Sequence, residues 1–196
     1  MEIILVRHSI AAGNPERRFL GVTDMPLLPE GIALAKQRAA ELPDVERVYV
    51  SPLLRARQTA ALLWPKVPET ILQGLREIDF GAFENRTHAE MVAAQDQVYL
   101  DWLAQTQWEG YPGGETFANL RVRVKEAFEA AVSDAAGRNC RRIGMVAHGG
   151  TILYLLECYT DVRADFGANR TENCGGFCLS VEWRETGARC TACAAL

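Results

Sequence analysis

Arg7 and His8 stand side by side where a short apolar run ends, and His148 is followed by Gly149 and Gly150 where another ends. Ser51 closes a third run, with Arg55 a helical turn beyond it. Histidine can attack phosphorus and form a covalent phosphohistidine. The planar arginine fork captures phosphate or carboxylate bidentately and stabilises charge on a transferring phosphoryl group. Such a transfer also needs a proton donor for the departing alkoxide. Glu77, just ahead of Asp79-Phe80-Gly81, is the candidate. A nearby phosphate would raise its proton affinity and the arginines would lower it.

These residues are far apart in sequence, so the fold must gather them. Glu2–Val6 reads as a short buried strand. The stretch from Asn14 to Pro29 reads as a loop, Glu30–Leu42 as a helix, and Val45–Val50 as a second strand. Ser51-Pro52 looks like a helix start, an N-cap serine and a first-turn proline, for a helix reaching about Trp64. Ile71–Ile78 reads as extended. Thr87–Gln105 reads as helical with a break near Asp96. Thr116 or Asn119 opens the longest helical pattern, which runs to Ala136 and stops at Gly137. Arg142–Ala147 is a strand and Thr151–Tyr159 a helix. Gly176–Trp183 and a piece around Ala188–Cys193 are late strands joined by a turn at Glu185-Thr186-Gly187.

Strands alternating with helices predict an α/β protein: a three-layer α/β/α sandwich with a mainly parallel central sheet. The whole chain, 1–196, reads as a single domain, with approximately 84–116 as a small helical cap insertion. In a parallel sheet the carboxyl ends of the strands share one edge, and ligands bind there. Two histidines and two arginines are thereby expected to converge, with helix N-termini adding amide donors. Everything aimed at this edge favours an anion, and phosphate fits best.

Bulk properties narrow the partners. A formal charge of −4 gives no reason to expect nucleic acid or an anionic membrane surface. Positive charge is almost all arginine, with lysine only at Lys36, Lys66 and Lys125. The first apolar run is too short for a secretory signal and no stretch approaches a membrane span, so a cytoplasmic protein is expected. The six cysteines are then expected to be thiols. Cys190-Thr-Ala-Cys193 and Cys174-Gly-Gly-Phe-Cys178 have spacings seen in zinc sites but no histidine nearby, so no metal is assigned. His88-Ala-Glu90 imitates a zinc-deaminase motif, but no Pro-Cys-x-x-Cys follows; His88 reads as an exposed helix residue. The Trp102, Trp108 and Tyr111 group reads as cap packing, with aromatic specificity for substrate left open.

Four blocks carry a family resemblance. Val6-Arg7-His8 with Asn14, Arg18 and Gly21 resembles the opening of the histidine phosphatase superfamily, the phosphoglycerate-mutase-like group. The block from Ser51 to Ala60 is similar to its second signature, Arg76 to Glu84 to its acid-bearing segment, and Val146 to Gly150 to its last one. The resemblance implies that His8 is the phosphorylated nucleophile and that Arg7, Arg55 and His148 hold the phosphoryl group. It makes Glu77 the proton donor and later the base for water. It assigns Asn14 and the Gly149 amide to phosphate binding and places the Gly21 loop beside the substrate. It implies chemistry without metal or other cofactor.

Within the superfamily, the run from Glu77 through Trp102 to Pro112-Gly113-Gly114-Glu115-Thr116 looks most like the α-ribazole phosphatases of cobalamin synthesis. The expected function is hydrolysis of a small phosphorylated metabolite such as α-ribazole 5'-phosphate. The alternatives are a phosphoglycerate-type mutase, or a catalytically weak protein that binds a phosphorylated ligand. A homodimer is left open. Two departures stand out: Ser9 replaces the family's usual glycine after the nucleophile, and Phe83-Glu84-Asn85 replaces its usual tryptophan, glutamate and glycine.

Overall fold

The computed structural model describes residues 1–162 and 170–196. Its organising element is β1 (Glu2–Arg7), a central strand. Side chains alternate across a strand. Ile3 and Leu5 therefore face one buried cluster, with Leu120, Val124 and Phe128 of α5 (Phe117–Gly137) and Leu155 of α6 (Gly149–Tyr159). Ile4 and Val6 face the other, with Ala56, Ala60 and Leu63 of α2 (Leu54–Leu63) and Trp64 just beyond it. α1 (Pro29–Ala39) packs beside α2. Each large aliphatic chain buried this way contributes about 1.5–3 kcal/mol. The result is the expected three layers.

The six-stranded sheet has the order β3-β2-β4-β1-β5-β6. β3 (Glu69–Ile71), β2 (Arg47–Val50), β4 (Arg142–Ala147) and β1 are mutually parallel. β5 (Gly176–Arg184) runs antiparallel to β1 and forms a hairpin with β6 (Gly187–Ala195), so the sheet is mixed but mostly parallel. Arg7 lies opposite Ala147, and Val50 opposite Val146. The carboxyl ends of β2, β4 and β1 thus stand in one row.

The helical part between β3 and β4 opens with α3 (His88–Ala93) and α4 (Gln97–Leu103). The break falls at Asp96, whose carboxylate caps Tyr99 N; Thr87 and Glu90 form a capping box on α3. Thr116 caps α5 through Asn119 N. Phe83, Met91 and Tyr99 form a third buried cluster, packed with Phe19, Phe80, Trp102 and Tyr111.

Three local readings need correction. Ser51 does not cap α2: Leu53 occupies that position, and Asp24 Oδ1 accepts the Leu54 amide at 2.8 Å. Ile71–Ile78 is not one extended piece, because β3 ends at Ile71 and a 3-10 turn occupies Gln73–Leu75. Gly137 remains helical, and the left-handed residue after α5 is Asn139, at φ 57°; asparagine tolerates that conformation well.

Among the described residues, no helix is long and apolar enough to cross a membrane. All six cysteines are free thiols.

Candidate active site

The row of strand ends builds the site. The His8 amide donates to the Ala147 carbonyl at 2.9 Å, and the Ser51 amide to the Val146 carbonyl at 3.0 Å. His8 and His148 therefore leave adjacent strands together, with ring centroids 5.1 Å apart, and both are almost fully buried. His8 Nδ1 lies 2.7 Å from the Ser9 carbonyl oxygen. A carbonyl only accepts, so the proton is assigned to Nδ1 and the lone pair to Nε2. His148 Nε2 lies 2.6 Å from Ser51 Oγ, and its Nδ1 is buried without a partner. Burial lowers the pKa of both rings well below 6.5, and the Arg55 charge adds to it. The two imidazoles are neutral at pH 7.

Arg55 is fully buried, on the first turn of α2. It donates to the carbonyls of Thr23 at 2.9 Å, Leu20 at 3.0 Å and Gly21 at 2.8 Å, while its Nε has no partner. Arg7 donates to the Thr171 carbonyl at 2.6 Å, and its Nε is likewise buried and unpartnered. Among the described residues, neither guanidinium has a carboxylate in contact. Burial lowers the pKa of both, and the Glu77 charge opposes that; a guanidinium nonetheless stays charged. One buried and one half-buried cation, each with a buried Nε that lacks a partner among the described residues, stand beside two neutral imidazoles and could receive a compact anion.

Glu77 lies at the N-terminus of α6. Its Oε1 accepts from the amides of Ile78 and Thr151, each at 3.0 Å, and its Oε2 from the Gly150 amide at 3.0 Å. Gly150 and Thr151 are thus engaged by Glu77, whereas the Gly149 amide makes no hydrogen bond to the described residues. Arg7, His8, Asn14, Glu77 and Tyr111 line one 290 Å³ pocket together with Phe19, Leu20 and Phe80, and Arg17, Arg18 and Arg170 border it.

The structure places the remaining expected residues unevenly. Asn14 is at the pocket, but its Oδ1 is engaged by the Ala11 amide at 2.9 Å. Gly21 stands behind the wall. A Cβ there would lie 2.0 Å from the Ile78 carbonyl oxygen, so only glycine lets the loop sit so close.

Ser9 does not face the pocket. It is fully buried, and its hydroxyl donates to the Gly31 carbonyl of α1 at 2.7 Å. Its amide donates to Thr59 Oγ1 at 2.9 Å. The serine therefore anchors the His8 loop to α1 and α2. In the other departure the glutamate is kept, and Asn85 takes at φ 57° the left-handed backbone that glycine also adopts. The Glu84 carboxylate accepts from the amides of Val22 at 3.0 Å, Thr23 at 3.1 Å and Phe80 at 3.0 Å, and from the Thr23 hydroxyl. It folds the loop whose carbonyls receive Arg55.

Sequence reasoning placed Glu84 in the acid-bearing segment without foreseeing this role, and it missed Asn173, which donates to the His8 carbonyl at 3.0 Å. Both act on residues remote in sequence, and no periodicity signals that. His88 is exposed, with Nδ1 2.6 Å from the Tyr99 hydroxyl. Among the described residues, no group of three or more His, Cys, Asp or Glu side chains is placed to hold a metal.

Known proteins share this fold. The adenosylcobalamin/alpha-ribazole phosphatase of Salmonella typhimurium is 32% identical over 160 residues, 80% of this chain and 78% of that protein. The alpha-ribazole phosphatase structure from Shigella flexneri superposes with a TM-score of 0.77 at 25% identity, covering 98% of this chain and 95% of the other. A phosphoglycerate mutase structure from Thermus thermophilus gives 0.64 at 28% identity, covering 100% and 99%. The family model for branch 1 of the histidine phosphatase superfamily matches residues 3–194. With Arg7, His8, Arg55 and His148 gathered at one sheet edge, this chain is a member of the histidine phosphatase superfamily, branch 1.

Proposed function

We propose that the protein is a metal-independent phosphomonoester hydrolase acting through phosphohistidine. The observation that carries this reading is the pairing of His8 Nδ1 with a carbonyl, which leaves Nε2 as a lone-pair nucleophile in a pocket lined by Arg7 and Glu77. In the first step Nε2 forms a bond to phosphorus as the P–O bond to the leaving group breaks. Arg7, Arg55 and His148 carry the charge on the transferring oxygens, with the Gly149 amide and Asn14 as further donors. Glu77 gives its proton to the departing alkoxide. Oε2 suits this task, since only one amide occupies it. In the second step the carboxylate takes a proton from water, the water oxygen bonds to phosphorus and the P–N bond breaks, releasing inorganic phosphate.

Segment 84–116 acts as the cap on a single catalytic domain. Phe19, Phe80 and Tyr111 give the pocket an aromatic wall, which suits a leaving group with a flat apolar part. The relatives named for alpha-ribazole make α-ribazole 5'-phosphate the first substrate to try. Six free thiols fit a reducing, cytoplasmic setting.

The test is phosphate release from 4-nitrophenyl phosphate in the presence of EDTA, followed by a screen of phosphorylated metabolites that includes α-ribazole 5'-phosphate and 3-phosphoglycerate. Wild type should release phosphate, and His8→Ala should lose on the order of 10⁴-fold or more. Full turnover by His8→Ala rejects the nucleophile, and phosphoglycerate isomerisation after bisphosphate priming would instead make the protein a mutase.

A further inference from the structure

Arg123 lies on α5, outside the pocket, yet it reaches the segment that carries the acid. A guanidinium offers five N–H donors, and here each has its own acceptor. Nε and one Nη2 hydrogen make a bidentate pair with Glu115, both at 2.6 Å. Nη1 donates to the Gly74 carbonyl at 2.8 Å and the Arg76 carbonyl at 2.7 Å. The second Nη2 hydrogen goes to the Glu77 carbonyl at 3.1 Å. Glu115 is itself fixed, because its amide donates to the Asp79 carbonyl at 2.9 Å and its carbonyl accepts from the Tyr111 amide at 3.2 Å. The Arg76 carbonyl also accepts from the Thr151 hydroxyl at 2.7 Å. Glu77 is thus held at both ends: its backbone by Arg123 and its carboxylate by the first amides of α6.

We propose that Arg123 and Glu115 form a positioning pair that sets Glu77 for proton transfer and couples it to the pocket's aromatic wall. This rests on the reading of Glu77 as the proton donor. Neither residue of the pair touches the reacting atoms. Proton transfer succeeds only when the donor oxygen sits within hydrogen-bond reach of the leaving oxygen. A fork that fixes the carbonyls of Gly74, Arg76 and Glu77 sets that distance, and a lysine cannot replace it, since an ammonium has three donors and no planar fork.

Leaving groups separate this role from a merely structural one. As the P–O bond breaks, 4-nitrophenolate departs without a proton, whereas a benzyl alkoxide must receive the Glu77 proton. The full-length protein is assayed on 4-nitrophenyl phosphate and benzyl phosphate as wild type, Glu77→Gln, Arg123→Lys and Glu115→Gln. The comparison is made in kcat/KM, which ends at release of the alcohol and so precedes the water step that both esters share: Glu77→Gln should lose on the order of 10²-fold or more on benzyl phosphate and far less on the nitrophenyl ester. Arg123→Lys and Glu115→Gln should each lose roughly tenfold in kcat/KM on benzyl phosphate, and less than about threefold in kcat/KM on the nitrophenyl ester. Two variants are used so that one remains informative should the other not fold. If Glu77→Gln is selective and the pair's folded variants lose equally on both esters, or lose nothing, the positioning role is overturned. If Glu77→Gln shows no selectivity while His8→Ala is inactive, the acid assignment fails and takes this proposal with it.

Discussion

Arg55 and Arg123 are both deeply placed arginines, but their surroundings differ. Among the described residues, Arg55 meets only carbonyl oxygens, has no carboxylate in contact and leaves Nε without a partner. Arg123 has every donor matched and a bidentate carboxylate. A buried charge that lacks an ion pair is costly in the free protein. Around Arg55 that cost is concentrated beside a second arginine and a neutral histidine with a free buried nitrogen, where a phosphate would relieve all three at once. Around Arg123 the same side chain is finished within the fold. The contrast separates capacity reserved for a ligand from capacity committed to the chain.

Replacing the reserved arginine should cost most. Arg55→Met is expected to lower kcat/KM for 4-nitrophenyl phosphate by roughly 10²–10³-fold. It should also remove the stabilisation given by inorganic phosphate, which for wild type at a hundred times its Kd is about 2.7 kcal/mol. Arg123→Lys should keep that phosphate-dependent shift in melting temperature. Equal loss of the shift in both variants would erase the contrast.

Acidification probes the same region from the other side. His8 and His148 have folded pKa values below 6.5, so an unfolded chain takes up protons that the folded site refuses. Stability is fully present above pH 6.5 and should fall as the pH drops below it. Denaturant midpoints between pH 7.5 and 5.5 check the sign, and His148→Gln should flatten the decline. A midpoint that rises on acidification contradicts the assigned neutral imidazoles.

Smaller changes sharpen the boundary. Ser51→Ala removes the hydroxyl 2.6 Å from His148 Nε2 and should cost roughly tenfold in kcat/KM, read on the nitrophenyl ester. Thr116→Ala removes the cap of α5, on the chain-satisfying side. It should cost about 1 kcal/mol of stability by urea titration and leave the kinetics of the nitrophenyl ester unchanged.

Much of the reserved region was legible in the sequence because it is built on strand ends. β1 and β4 are short apolar runs, and His8 and His148 fall directly after them. Thr87 announced a helix start, Asp96 a break and Thr116 one of two possible starts, and all three prove to be caps, because capping is a local interaction. Ser51 shows where local reasoning fails. Its type and position favour an N-cap, but a partner 97 residues away claims the hydroxyl instead. Glu84 and Arg123 were illegible for a related reason. Their partners are backbone groups of remote turns, at Gly21–Thr23 and Gly74–Glu77, and backbone groups carry no residue-type signature.

The placement of β1 also sets an order in time. Its two sheet neighbours both lie far downstream in the chain: β4, at Arg142–Ala147, and β5, from Gly176 onward. Loops of that length close late, and folds rich in such remote pairings assemble slowly. The strand that delivers His8 must wait for β4 and β5 to emerge, so a ribosome stalled before β4 presents a nascent chain in which His8 has no neighbouring strand.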